Sequence, residues 1–223
     1  MPSPIDHRAG NALVAKIAVA ILVFSVGAFA LKVIVHPERA ARYTPLVMVH
    51  GATMVAWFSM MASQAYLAAN NRLNPHRALG RWSPLLVIAM VGSGMTVSWN
   101  LSQEFDRYDV LVGNTGIFAT FIPLYIAAIL FARGHDQASH RQAMLIGSLA
   151  MLGPAYSRVM DILEQSTMLV LPVQLVVTIG SSLWLDRVSR GHVAKSTWWM
   201  LGFYLAILGV TIAAFFTVLP QQQ

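Results

Sequence analysis

Seven apolar stretches, each about long enough to cross a lipid bilayer, follow one another along this chain, at about 12–35, 44–70, 78–100, 109–132, 140–163, 167–186 and 196–219. A bilayer's hydrocarbon core is roughly 30 Å thick, and an α-helix crosses it in about 20 residues. Within lipid every main-chain N–H and C=O must find its partner inside the protein, so each stretch is expected to be helical. The expectation is an all-α fold: a polytopic integral membrane bundle of seven transmembrane helices, forming a single domain over residues 1–223. The short connections make consecutive helices antiparallel neighbours. With 57% hydrophobic and 11% charged residues, the chain has too little polar surface to cover a water-soluble globule. The first stretch, Ala12 to Val35, is longer than a signal-peptide core and lacks a small-residue cleavage site, so it reads as a retained span.

The charges set an orientation. Connections on one side carry ten Lys and Arg residues, from Arg8 through Arg72, Arg77, Arg133 and Arg141 to Lys195; those on the other carry five, among them Lys32, Arg39 and Arg158. Basic residues stay on the cytoplasmic side, which places the N-terminus inside and, with seven spans, the C-terminus outside. The expected location is the bacterial cytoplasmic (inner) membrane. The net charge of +6 is explained by this topology, so nucleic acid is not an expected partner. The fifth stretch is the least regular, containing Gly153–Pro154 and Arg158. It is retained because without it the last two spans would face the wrong way for their Arg-rich connection.

Local signals mark helix starts. Thr44–Pro45 and Asn74–Pro75 each set a capping side chain before a proline, and Ser139 with Gln142 fits a capping box. Gly94 with Ser98, Gly113 with Gly116, and Gly147 with Gly153 predict close helix contacts. The only low-complexity feature is the Gln221–Gln223 tail.

There is no cysteine, which leaves His, Met and carboxylates as possible metal ligands and excludes iron–sulfur clusters and thiolate-bound haem. No span holds an interior lysine suited to a retinal Schiff base, and no paired His motif of a zinc hydrolase occurs. His50 lies roughly 9 Å into the second span at 1.5 Å per residue, and Trp57 and Gln64 follow at intervals of seven on the same face. Such a face should point into the bundle. His50 is then a haem or metal ligand, a proton-transfer group, or a histidine that fixes helix packing by a hydrogen bond.

Arg158 falls roughly 27 Å beyond His140 along the fifth helix, at a depth like that of His50, with Asp161 placed three residues on to pair with it. His50, Arg158 and Asp161, with His36, form one candidate polar cluster. In it Arg158 would hold a haem propionate or an anionic solute, or else the Arg–Asp pair simply reaches the outer surface. His76 and His140 begin the third and fifth helices at the cytoplasmic side. A helix N-terminus disfavours the imidazolium and favours the neutral, metal-ligating form. The two could bridge one iron if their helices are neighbours, or serve as interfacial caps.

The connections His76-Arg77-Ala-Leu-Gly80 and His140-Arg141-Gln-Ala-Met144 look alike, suggesting a parallel repeat of helix pairs 44–100 and 109–163. With His50, Trp57, Gln64, Arg81 and Arg158, these motifs resemble the bacterial multi-pass family catalogued as domain of unknown function 2306. The likeness covers about 45–160. The chain departs from that pattern at Gln142-Ala143, where an aromatic often precedes the Met. The family supplies a multi-pass fold but no activity to transfer. The arrangement is also distantly similar to b-type transmembrane cytochromes, whose histidines on neighbouring helices hold haem. That similarity implies a haem-b-binding electron-transfer protein with His50, His76 and His140 as candidate ligands and Arg158 against a propionate. Two alternatives stay open: a small-solute transporter or sensor using His50, Arg158 and Asp161, and a non-catalytic accessory subunit packed against a membrane-protein partner or a second copy of itself.

Overall fold

The computed structural model describes residues 7–218; Asp6, counted among the inside charges, and the Gln221–Gln223 tail lie outside the described residues. The described chain is helical almost throughout, with no strand. Its α-helices are α1 (His7–Val35), α2 (Pro45–Ala69), α3 (Leu73–Gly80), α4 (Ser83–Phe105), α5 (Tyr108–Arg133), α6 (Gln137–Ala150), α7 (Gly153–Ile162), α8 (Val170–Arg190) and α9 (Lys195–Val218). Among the described residues six helices are long and apolar enough to cross a membrane: α1, α2, α4, α5, α8 with the turn before it, and α9.

The six long helices close a ring in which α1 packs on α2, α2 on α4, α4 on α5, α5 on α9, α9 on α8, and α8 back on α1. Inside the ring stands α6, touching α1, α5, α8 and α9. Its surroundings explain its composition. Ser139, Arg141, Gln142 and Ser148 are buried along with Leu145, Ile146 and Leu149, because protein rather than lipid covers every face. A helix that never meets lipid needs no apolar stripe, and so the fifth stretch reads as the least regular of the seven.

That stretch is also not one helix. The expected single span at 140–163 is instead α6 and α7, broken at Met151–Leu152. Proline has no N–H to bond the carbonyl four residues back, so Pro154 orphans the Ala150 carbonyl. Gln174 Nε2 of α8 donates to that carbonyl at 2.9 Å, and Gly153 leaves room for the approach, since a Cβ there would sit 3.1 Å from Gln174 Oε1. The pair still runs alongside α1 over most of its length. Arg141 Nη1 donates to Asn11 Oδ1 at 2.8 Å near one end, and Lys32 is bonded to Asp161 at the other.

Helix starts correct the sequence reading in two places. Thr44 caps α2, its Oγ1 accepting from Val47 N–H at 3.4 Å, as the sequence implies. The Asn74–Pro75 start is replaced by α3 beginning at Leu73 after Arg72, with no side-chain cap. The cap of α6 is Asp136, accepting from Ser139 N–H at 3.0 Å, rather than Ser139 itself. An acidic side chain three residues earlier outcompetes the serine, whose hydroxyl turns to Ser196. Small residues mark tight contacts as expected: Gly94 lies under Phe118 and His50, and Gly116 under Thr211.

Candidate functional site

The site is built at two corners of the bundle. Asn71, in the left-handed conformation at φ 55°, turns the chain out of α2 and into α3. His135, at φ 62°, turns it from α5 into α6. The two corners share one hydrogen-bond pattern at a constant offset of sixty-four residues. Arg72 N–H donates to Leu67 O at 2.8 Å, and Asp136 N–H to Phe131 O at 2.9 Å. Asn71 N–H donates to Ala68 O, and His135 N–H to Ala132 O. Each corner then presents a histidine to a carbonyl twelve residues back: His76 Nδ1 to Gln64 O at 3.2 Å, and His140 Nδ1 to Ala128 O at 2.9 Å.

A carbonyl oxygen only accepts, so each Nδ1 donates, and in the neutral imidazole the lone pair is then on Nε2. The two rings meet edge to face with centroids 6.5 Å apart. Metal–nitrogen bonds of about 2.0 Å would set two imidazoles on opposite sides of one ion at a centroid separation of roughly 6 Å. Carbonyl-held Nδ1–H groups are the usual orienting partners of metal-bound histidine. Two imidazoles at this separation are a donor pair of the kind that would hold one metal ion. Among the described residues no three His, Asp or Glu side chains gather as a metal cluster, so a tetrahedral zinc site is not built from them.

Two turns back along α2 from Gln64, about 10 Å at the helical rise, is an aromatic box. Trp57 is buried, donates from Nε1 to Ser148 Oγ at 3.4 Å, and packs edge-on against Phe121 at 5.0 Å and Tyr125 at 5.9 Å. The Tyr125 hydroxyl is 2.8 Å from Ser83 Oγ. Gln64 comes close to Gly80, and its Oε1 is buried with no hydrogen-bond partner. Gln64 thus lies at the His76–His140 pair, with Trp57 two turns away in the aromatic box, while His50, from the same helix face, does not join it.

His50 lies fourteen residues from Gln64, about 21 Å along α2 at the helical rise. Its Nδ1 is 3.2 Å from Ser93 Oγ of α4, and its ring lies over Gly94. This is the cross-helix bond that the packing alternative describes. The Arg158–Asp161 pairing expected from the sequence does not form. Asp161 is bonded to Lys32 and lies 3.1 Å from Arg39 Nη1, because α1 and the following turn bring two cations to it. Arg158 donates from Nη1 to Pro154 O at 2.8 Å and stacks on Phe29, 3.8 Å above the ring centroid. The proline that breaks the helix supplies that carbonyl region. His36 is 3.1 Å from Glu38, outside any cluster with His50.

The sequence reading overlooked Ser83, Tyr125 and Ser148. A signal existed: the sixty-four-residue offset between the histidines also relates Trp57 to Phe121, two members of the aromatic box. No protein-family model, curated protein or solved structure matches the chain.

Proposed function

We propose that this protein is a haem-b-binding electron carrier of the bacterial cytoplasmic membrane, in which His76 and His140 would hold the haem iron. The observation that carries the reading is the pair of imidazoles 6.5 Å apart, each oriented by a main-chain carbonyl at Nδ1. Haem held there would supply reversible one-electron transfer. The chain's own contribution is orientation: the Gln64 and Ala128 carbonyls hold the ring planes. Arg77 and Arg141 follow the two histidines in sequence and put positive charge at the same end for the propionates. Arg158, the candidate for that role in the sequence, belongs to the opposite end of the bundle. His50 is read as a packing residue on Ser93 and is not part of the ligand set.

The same reading takes the α6–α7 pair as a seventh crossing. About twenty residues separate Arg141 from Asp161, roughly 30 Å of helix, the thickness of a hydrocarbon core. Seven crossings with the Arg-rich end inside give a cytoplasmic N-terminus and an external C-terminus.

The test is the absorbance spectrum of detergent-purified protein made with adequate haem. A Soret band with a positive pyridine haemochromogen assay is expected in the wild type and in His50→Ala. Both signals are expected to be lost in His76→Ala and His140→Ala. A wild-type protein without a Soret band removes the proposal.

A further inference from the structure

The outer surface of the bundle carries a second feature, which does not depend on haem. Helices α5 and α9 meet closely at one end, where Gly116 lies under Thr211, and toward the histidine end a groove of about 390 Å³ opens between them. Pro123, Ala127 and Phe131 line it at four-residue steps along α5, and Ser196, Trp199 and Phe203 line it along α9. Ala127 makes the hollow, because a single methyl group stands between a proline ring and a phenyl ring, one turn from each. The lining is almost wholly apolar and runs about 12 Å from Pro123 to Phe131 at the helical rise. One leaflet is half of a core roughly 30 Å thick, so the groove is close to one leaflet in length.

The groove ends in positive charge. Lys195 lies one turn before Trp199 on the same face of α9, and Arg133 is in the last turn of α5. Both are exposed, and among the described residues neither joins a carboxylate. The acid nearest in sequence, Asp136, is already engaged by Ser139 N–H and lies 3.9 Å from Arg190. Trp199, 79% exposed, adds an indole N–H of the kind that gathers at the membrane interface. An apolar slot one leaflet long, closed by two unpaired cations and an indole donor, is complementary to a molecule with an apolar tail and a negative head. A second copy of the chain packed through this face would set the same two cations against each other, and like charges repel.

We propose that the α5–α9 groove binds one anionic phospholipid, with an acyl chain along Pro123, Ala127 and Phe131 and the phosphodiester between Lys195 and Arg133. Each cation near an anionic headgroup raises binding by about fivefold. Ser196 at the headgroup end also meets Ser139 Oγ of α6 at 3.0 Å, which joins the lipid site to the element that carries His140.

The test mixes delipidated full-length protein in detergent with equal amounts of phosphatidylglycerol and phosphatidylcholine of identical acyl chains. Native mass spectrometry then counts the lipids that each protein molecule keeps. Wild type should keep one phosphatidylglycerol, preferred by about twentyfold over phosphatidylcholine. Lys195→Gln and Arg133→Gln should each lower that preference by about fivefold. Arg72→Gln, the same charge change at the same end but on the α2–α3 corner, should leave it as in wild type. Ala127→Phe fills the hollow and should remove the retained lipid; should that variant lose its helical circular dichroism, Ala127→Leu is read in its place. Glycerol phosphate, a head without a tail, should not displace the lipid. Equal retention of the two lipids by wild type overturns the proposal. So does a preference that survives loss of both cations, a lipid that stays in the filled groove, or displacement by glycerol phosphate. Disulfide-linked dimers of Ala127→Cys would place a second copy in the groove and overturn it as well.

Discussion

Gly94 and Gly92 sit two positions apart on α4, and they should answer the same substitution with opposite signs. A Cβ at Gly94 would lie 2.7 Å from Phe118 Cζ and 2.8 Å from His50 Cε1, two ring atoms held by their own packing. Gly94→Ala is expected to cost roughly 1–3 kcal/mol, as overpacking of a filled interface does. A Cβ at Gly92 meets nothing within 4 Å. Gly92→Ala should gain about 0.5–1 kcal/mol from helix propensity alone. Thermal melting in detergent reads both, and a loss at Gly92 equal to that at Gly94 would show that the contact with His50 is not what matters. At this scale the sequence was legible for residue type and face but not for partner. It put His50, Trp57 and Gln64 on one face, yet a face is not a site. The site needs a second element, and only the fold says that α3 brings His76 to the foot of that face while α4 meets its top. Asp161 fails for the same reason. Spacing alone favoured Arg158, but α1 delivers Lys32 and the turn after it delivers Arg39.

At the scale of single elements, α6 depends on its start. Burial works against ionisation of Asp136, but hydrogen bonds from Ser139 and the nearby Arg190 outweigh it and hold the carboxyl below its ordinary value of 3.8. With its folded value depressed, the group stabilises the protein above pH 3.8, and the contribution fades as pH falls through the lower folded value. The side chain is 48% exposed, so the cap is worth the lower part of the usual range, about 0.5–1 kcal/mol. Asp136→Ala should therefore melt earlier than wild type at pH 7, with the gap closing in strong acid. A gap constant down to pH 2 would mean that charge and hydrogen bond at Asp136 contribute nothing. The boundaries of the long helices were readable because lipid imposes length and hydrophobicity on anything it touches. The interior element escaped that rule. Nothing in 140–163 betrays the break except Gly153–Pro154, and whether a proline kinks or splits a helix depends on what reaches the freed carbonyl. Here Gln174 does, from an element that sequence proximity gives no reason to choose.

For the whole molecule, a ring of six long helices around a polar seventh element resolves a conflict that hydropathy alone leaves standing. Arg141, Gln142 and Ser148 would be costly against lipid, but α1, α5, α8 and α9 exclude it. The ring closes whether the α6–α7 pair crosses the membrane or turns back within it, and the two cases differ in where the chain ends lie. The absence of cysteine makes the question answerable with single introduced thiols. Gln137→Cys and Gln165→Cys fall at exposed positions at the two ends of the α6–α7 pair. A membrane-impermeant maleimide should label Gln165→Cys in intact cells and Gln137→Cys only after the membrane is opened. This follows because the Arg141–Asn11 and Lys32–Asp161 bonds tie the pair to opposite ends of α1, the longest helix in the bundle. If both positions react from the same side, the pair is re-entrant, the crossings number six, and the two termini share a compartment. The histidine pair would keep its geometry in that case, but the arginines beside it would no longer explain which way the bundle faces.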